Sequence, residues 1–289
     1  MDLLLHQIIS GLATGGIYAS VALALVMIYQ ATHLVNFAQG ELAMFATYIC
    51  WSLINAGMPY WVAFFLTIVI AFAGGVLIQR IIMRPLENAP VLSTVIVFIG
   101  LLVILNSVAG WIFTYTIKPF PSPFPEKPLW DNSYVSSHEL GSAFVTLVVL
   151  GLVFSFFRFT PLGLAMRAAA QNPVSSRLVG VRVSWMLALG WGLAAAIGAV
   201  ARMMVAPIVY LEPNMFGGIL LYAFAGALVG GIDNPWGAVI GGFLVGVIEN
   251  VVGMYLGTDV KLSVALVIII AVLVLRPSGL FGRVHVARV

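Results

Sequence analysis

The chain has 289 residues, of which 62% are hydrophobic and 8% are charged, and its formal net charge is +3 at pH 7. A soluble domain carries about 25% charged residues, so the composition excludes a soluble fold and predicts an all-α integral membrane protein. The single cysteine excludes a disulfide framework. We expect no nucleic-acid partner, because the basic residues follow membrane topology and do not form a soluble basic face.

Apolar runs divided at turn signals predict nine membrane-spanning segments, within a range of eight to ten. They lie near residues 5–29, 35–54, 60–82, 91–113, 142–159, 184–205, 216–232, 236–256 and 261–276. A spanning helix needs about 20 apolar residues, so several segments are marginal in length. Prolines at or just outside segment edges, Pro207 among them, support these boundaries. The N-terminus has no basic region before its apolar run, so we expect no cleavable signal peptide. We predict one transmembrane domain over residues 1–289.

Glycines interrupt several segments and make some helices short or broken. Gly15-Gly16 interrupts the first segment, and glycines recur along the seventh and eighth. They indicate either close helix packing in lipid or broken helices around a transport pathway, and we favour packing for most of them.

Lysine and arginine predict the orientation. Alternating loops place nine arginines on one side (Arg80, Arg84, Arg158, Arg167, Arg177, Arg182, Arg276, Arg283 and Arg288) and three lysines on the other (Lys118, Lys127 and Lys261). The arginine-rich side is therefore predicted to be cytoplasmic, with the C-terminus inside and the N-terminus outside. A hidden second crossing near Gly15-Gly16 would instead place the N-terminus inside.

Two loops differ from simple connectors. The outer loop, Thr114–Glu139, contains five prolines in KPFPSPFPEKP, so we expect an extended cover or a surface for an external partner. The cytoplasmic loop 160–182 carries two successive helix starts, Thr160-Pro161 and Asn172-Pro173, and a possible stop at Gly180. This loop is either an ordinary positive cytoplasmic loop or an element that docks on a soluble partner.

No catalytic constellation is present in the sequence. The histidines lack metal-ligand spacing, and no phosphate-binding G-x-x-x-x-G-K-[ST] loop occurs, so any ATP would be hydrolysed on another chain. The informative residues are polar groups in apolar segments, and we select Asn36, Gln39, Glu41, Asn106, Arg202 and Glu249 as candidates for a translocation path.

Each candidate also has a structural interpretation. Glu41 and Glu249 either line a path or form internal pairs, and Asn106 is better explained by a hydrogen bond between helices. Arg202 lies near the outer end of its segment, where its side chain would extend to the outer interface. The alternative is that its guanidinium binds a substrate carboxylate.

Several motifs in register resemble a known family. NFAQGEL, RPL at 84–86, TPLGLAMRAAAQNP with LVGV, VGGIDNPWGAVIGGFLVGVIEN and the terminal RPSGLFGR are similar to the permeases of high-affinity branched-chain amino acid ABC transporters, closest to the H-type subunit. The resemblance covers nearly the whole chain.

The resemblance implies a fold like the ribose and vitamin B12 permeases in a bacterial inner membrane. It also implies a second homologous permease, two cytoplasmic ATPases that bind ATP and magnesium, and a periplasmic substrate-binding protein, with no cofactor on this chain. The coupling helix of the family, which docks on an ATPase, falls on Gly163, Leu164, Ala165, Met166, Arg167, Ala168, Ala169, Ala170, Gln171 and Asn172.

Two other functions remain open. Arg202 stands where the family has a small or apolar residue, so urea, short-chain amides or other carboxylates compete with amino acids as substrates, and NFAQGEL favours amino acids. A stand-alone secondary transporter would use Glu41 and Glu249 as proton-coupling sites, but it has no use for a docking loop.

Overall fold

The computed structural model describes residues 2–32, 36, 38–86, 89–125, 136–213 and 217–282. These residues contain eleven α-helices: α1 (Asp2–Thr32), α2 (Gln39–Asn55), α3 (Tyr60–Ile78), α4 (Val91–Phe113), α5 (Ser137–Phe159), α6 (Pro161–Gln171), α7 (Pro173–Leu178), α8 (Val183–Val209), α9 (Gly217–Gly230), α10 (Pro235–Leu256) and α11 (Lys261–Leu275). Nine of them match the predicted segments, and α6 and α7 are the two short helices predicted in the cytoplasmic loop. The predicted all-α class is confirmed.

Six helical spans in the described residues are long and apolar enough to cross a membrane. They are His6–Met27, Tyr60–Leu86, Leu92–Phe113, Leu140–Phe159, Val183–Val209 and Pro235–Leu256. The second of these continues α3 through a π-helical turn and a 3₁₀ turn. Large apolar side chains on the outside of these helices, such as Phe65 and Leu152, are exposed as lipid contact requires. The protein is therefore a multi-pass membrane protein.

Three helices are shorter than the hydrocarbon core. α2 has 17 residues, α9 has 14 and α11 has 15. At a rise of about 1.5 Å per residue, none reaches the roughly 30 Å of the hydrocarbon core as a straight helix. This confirms the expectation that some membrane segments are short.

The chain forms two compact units. The first unit comprises Met1–Val26, Phe124–Leu147 and Gly217–Val289, and the second comprises Met27–Pro123 and Val148–Phe216. The unit boundaries fall inside α1 and α5. The predicted single domain over 1–289 stays a prediction.

Glycines let backbones approach closely within the first unit. A Cβ added to Gly15 of α1 would lie 2.7 Å from the Cα of Phe243 in α10, and one added to Gly226 of α9 would lie 2.8 Å from the Cα of Gly242. Real side chains do not fit at such distances, so these positions require glycine. α1 runs unbroken through Gly15-Gly16. The alternative of a second crossing there is wrong, and the packing interpretation that we favour is confirmed for these glycines.

The second unit is built around α8, most of whose residues are buried. α2, α3 and α6 pack against it. A Cβ on Gly75 of α3 would lie 2.6 Å from the carbonyl oxygen of Trp191, so these two helices also meet through a glycine. Pro207 was predicted at a helix edge, but α8 continues past it to Val209. Only two helical residues follow this proline, so the helix loses little hydrogen bonding by including it.

The two ends of α8 carry different contacts. At its start, the Arg80 guanidinium lies 3.6 Å from the ring centroid of Trp185. Beyond its other end, Lys118 and Leu211 exchange backbone hydrogen bonds of 2.9 Å. Arg80 and Lys118, which were assigned to opposite sides of the membrane, therefore lie at opposite ends of one spanning helix. Of the predicted outer loop, residues 126–135 lie outside the described residues, as do Arg283 and Arg288.

Candidate functional site

The loop after α5 is capped as the sequence predicts. The Thr160 hydroxyl accepts a hydrogen bond of 3.0 Å from the Gly163 amide, and Pro161 occupies the first turn of α6. The Asn172 side chain accepts one of 2.9 Å from the Ser175 amide at the start of α7. Because each cap satisfies amides that have no partner within the helix, both short helices are stabilised locally.

The end of α7 is also defined by a glycine. Gly180 has φ of +86°, and its amide donates to the Arg177 carbonyl at 3.1 Å. The Val181 amide donates to the Ser176 carbonyl at 2.9 Å. This pair of bonds is the Schellman arrangement, which ends a helix and turns the chain away. The loop is thus two short, capped helices with a sharp exit.

α6 has one face against its own unit and one face exposed. Gly163, Met166 and Ala169 are buried, and a Cβ on Gly163 would contact the backbone of Phe156 and Phe157 at the end of α5. The opposite stripe, Leu164, Arg167 and Gln171, is exposed. Three residues of the predicted coupling segment therefore anchor the helix, and the exposed stripe is available to a partner.

Exposed apolar side chains continue this surface onto α7. Leu178 and Val179 are 84% and 79% exposed, and Val174 is 69% exposed. They lie in the loop between two spanning helices, outside both spans. Two of these large apolar side chains lie on α7 and Val179 follows it directly, so they indicate a contact surface, since a solvated connector gains nothing from them.

Two of the predicted path residues, Glu41 and Asn106, meet in the second unit. The Asn106 amide donates to a Glu41 carboxylate oxygen at 3.4 Å and to the Pro213 carbonyl at 3.2 Å. Arg202 acts electrostatically on Glu41 and on the Tyr48 hydroxyl. The interpretation of Asn106 as a hydrogen bond between helices is confirmed, because it ties α4 to α2.

Arg202 does not extend to the outer interface as we predicted. Its side chain is fully buried in α8, seven residues before the helix ends. A charge in a membrane interior is costly unless other groups compensate it, and Glu41 in the first turn of α2 supplies the opposite charge. The prediction was wrong because it considered only the short distance from Arg202 to the helix end. In the folded protein, packed neighbours enclose the guanidinium and keep it from the interface.

Asn36 and Gln39 are held by bonds within the protein. The Asn36 side chain accepts a hydrogen bond of 3.0 Å from the Ala38 amide, just before α2 begins. The Gln39 amide donates to the Ala194 carbonyl of α8 at 2.9 Å. Both side chains are buried, so they tie the start of α2 to its surroundings.

Glu249 lies in the first unit and has two partners that the sequence did not indicate. The Tyr18 hydroxyl of α1 donates to it at 2.6 Å, and the Lys261 ammonium lies 3.1 Å away. The Tyr222 ring stacks on Tyr18 with centroids 4.9 Å apart. The structure therefore favours the pairing interpretation of Glu249. Tyr18 and Glu249 are 231 residues apart, so no local pattern connects them.

Comparisons with known proteins match the chain along its length. The family model described as "Branched-chain amino acid transport system / permease component" matches residues 7–275. The high-affinity branched-chain amino acid transport system permease protein LivH of Salmonella typhimurium is 31% identical, with 99% of this chain and 97% of that protein covered. BraD of Pseudomonas aeruginosa, a permease protein of the same description, is also 31% identical, with 99% of this chain and 98% of that protein covered.

One solved structure shares the fold. The chain superposes on PsaBC from Streptococcus pneumoniae in complex with Fab with a TM-score of 0.50 and 13% sequence identity, covering 93% of this chain and 91% of that one.

Proposed function

The chain belongs to the family of branched-chain amino acid transport system permease components, and from this membership we propose that it is the translocating subunit of an ATP-driven importer for branched-chain or closely related amino acids. The observation that carries the proposal is 31% identity to permeases of that description over 99% of the chain. Similarity from end to end supports a shared role as well as a shared fold. The subunit itself performs no covalent chemistry.

The assembly we propose contains a second homologous permease, two cytoplasmic ATPases and a periplasmic substrate-binding protein. ATP and magnesium would be held by the ATPases. We place the complex in a bacterial inner membrane, with the arginine-rich ends of the helices and the C-terminus in the cytoplasm, because cytoplasmic ends of membrane helices are enriched in arginine and lysine.

The loop of α6 and α7 would transmit force from an ATPase. A coupling element must be stiff. An ATPase docked on it shifts the equilibrium between inward-open and outward-open states only by as much as its binding free energy differs between those two states. The caps at Thr160 and Asn172 and the turn at Gly180 support that stiffness. The exposed side chains Leu164 and Arg167 would meet the ATPase, while the buried face of α6 would pass the movement to its own unit.

The Glu41 cluster is our candidate for the substrate path. Glu41 is partly exposed, whereas Arg202 is fully buried. We therefore assign contact with substrate to Glu41, with Asn106 positioning its carboxylate and Arg202 supplying an opposite charge nearby. Asn36, Gln39 and Glu249 would support the architecture of the two units.

Purification of the native complex tests the proposal. The chain is isolated from its own membrane in mild detergent, its partners are identified by mass spectrometry, and the ligand of any bound receptor protein is determined. Two ATPases, a second permease and a branched-chain amino acid are expected. A homo-oligomer without ATPases would refute the importer. A receptor loaded with urea or an amide would refute the substrate class and leave the importer intact.

Arg167→Glu tests the docking surface within that complex. We expect the variant to insert normally but to lose ATPase association, because it places a negative charge at the proposed contact. Arg158→Glu is the matched control, since it carries the same charge change in the last turn of α5, outside α6. If Arg167→Glu still assembles and supports ATP-dependent uptake, α6 is not the coupling element. If both variants lose ATPase association equally, the loss reflects the charge of the whole arginine-rich face and not a contact made by α6.

A further inference from the structure

Four arginines surround one pocket at an end of the second unit. The pocket has a volume of about 440 Å³, and its lining includes Arg80, Arg84, Arg177 and Arg182, with Ser184 and Trp185. Arg80 and Arg84 end the span Tyr60–Leu86, and Trp185 lies in the first turn of the span that begins at Val183. The pocket therefore sits where two spanning helices leave the hydrocarbon, with a tryptophan at the depth where membrane proteins commonly place one.

The described lining of the pocket is positively charged. Among the residues that the structure describes, no carboxylate lines the pocket and none forms an ion pair with its four arginines. Arg80 is instead held over the Trp185 ring. Two buried polar atoms, Arg80 Nε and Ser184 Oγ, have no hydrogen-bond partner in the described part of the chain. Like charges around a cavity repel each other, so an anion in the pocket would stabilise this arrangement.

An apolar groove adjoins the arginine pocket. It has a volume of about 410 Å³ and shares Val181, Arg182 and Trp185 with the pocket. From there it follows α8 past Met186 to Leu189. A site with arginines at the membrane surface and an apolar channel along a spanning helix matches a molecule that has an anionic head and an acyl chain.

We propose that this site binds an anionic phospholipid, with the phosphate among the arginines and an acyl chain along the groove. Guanidinium groups bind phosphate oxygens in pairs, and basic pockets between membrane helices recognise anionic headgroups. Inorganic phosphate would use only the pocket, and an acidic protein partner would leave the groove empty. The inference requires that the chain spans a membrane, and it does not depend on the proposed substrate. Because Arg177 lies on α7, it also requires that an ATPase docked on that loop leaves the pocket open.

Lipid titration of the purified complex tests the site. Native mass spectrometry would count bound dioleoyl phosphatidylglycerol, dioleoyl phosphatidylcholine and glycerol 3-phosphate on the parent and on Arg84→Gln/Arg177→Gln. The matched control, Arg158→Gln/Arg276→Gln, removes two charges from helix ends outside the pocket. We expect one phosphatidylglycerol to bind in preference to phosphatidylcholine. Loss of two arginines should weaken phosphatidylglycerol binding about twenty-fivefold, at about fivefold each, while the control changes it less than twofold.

Two further measurements separate a loss of lipid binding from a loss of folding if the glutamine variant folds poorly. Arg84→Lys/Arg177→Lys keeps the charges and should lose less binding than the glutamine variant, because lysine retains the ionic attraction but not the paired contacts of a guanidinium. Phosphatidylglycerol with brominated chains should quench a fluorescence component that is missing in Trp185→Phe, because bromine on the acyl chain would lie beside that ring.

Several results would overturn the proposal. Equal binding of phosphatidylcholine would show no headgroup recognition, and competition by glycerol 3-phosphate at the same concentration would show an anion site without a role for the chain. Equal losses in the pocket variant and its control would show a general charge effect. Unchanged lipid binding with lost ATPase association would assign the pocket to the protein interface.

Discussion

Replacing Lys261 by methionine removes the cation that lies 3.1 Å from the Glu249 carboxylate. The two partners are not equivalent, because the Glu249 side chain is 6% exposed and the Lys261 side chain is 27% exposed. Lys261→Met leaves a charge inside the protein, whereas Glu249→Gln leaves a lysine that is partly exposed at the start of α11. We therefore expect the first substitution to be the more destabilising.

The expected magnitudes follow from that asymmetry. Removing one partner of a buried ion pair costs about 3–5 kcal/mol in the free energy of unfolding. We expect about 3 kcal/mol for Lys261→Met, because the Tyr18 hydroxyl still donates to Glu249 at 2.6 Å. For Glu249→Gln we expect about 1 kcal/mol, the scale of a pair with a solvent-exposed member. The double variant should recover about 1–2 kcal/mol relative to Lys261→Met, since no buried charge remains.

Unfolding of the purified protein by increasing dodecyl sulfate in mixed micelles measures these differences. Tyr18→Phe, which removes only the hydrogen bond, completes the set. Equal losses for the two single variants, with a double variant that equals their sum, would refute the reasoning. Such a result would mean that Glu249 is hydrated and not held by its two partners. Transport by Glu249→Gln should persist, in contrast to what a proton-coupled carrier requires.

Two further substitutions test packing and capping. Gly15→Ala should lower the free energy of unfolding by about 1–3 kcal/mol, because its Cβ would lie 2.7 Å from the backbone of Phe243. Gly100→Ala is the control, because a Cβ added to Gly100 would lie in open space. An equal loss of stability in that variant would contradict the packing argument. Thr160→Ala should destabilise α6 by about 1 kcal/mol through loss of its cap, measured as faster amide hydrogen exchange at Gly163. Unchanged exchange would show that packing alone holds α6.

Features that depend only on residues close together in the sequence could be predicted. The nine apolar helices follow from the apolar runs. The two loop helices follow from Thr160-Pro161 and Asn172-Pro173, because cap and proline signals act within one turn. The resemblance of several motifs in register also identified the family, which the comparisons confirm. The role of the loop in docking stays a prediction.

Features that depend on which helices touch could not be predicted. Gly15-Gly16 lies inside an unbroken α1, because close packing against α10 outweighs the local tendency of glycine to break a helix. The arginine pocket likewise joins residues 80–84 with 177–185, which are distant in the chain.

The charged residues in the membrane show most clearly which features follow from the sequence and which only from the tertiary structure. Composition and apolar length by themselves determined that the protein is a multi-pass helical membrane protein, because each span must satisfy its own backbone hydrogen bonds in lipid. Only the tertiary structure decided what Arg202 and Glu249 do. A buried charge persists where an opposite charge or a donor lies nearby, and Glu41 and Lys261 are brought to those positions by helix packing that no stretch of sequence encodes alone.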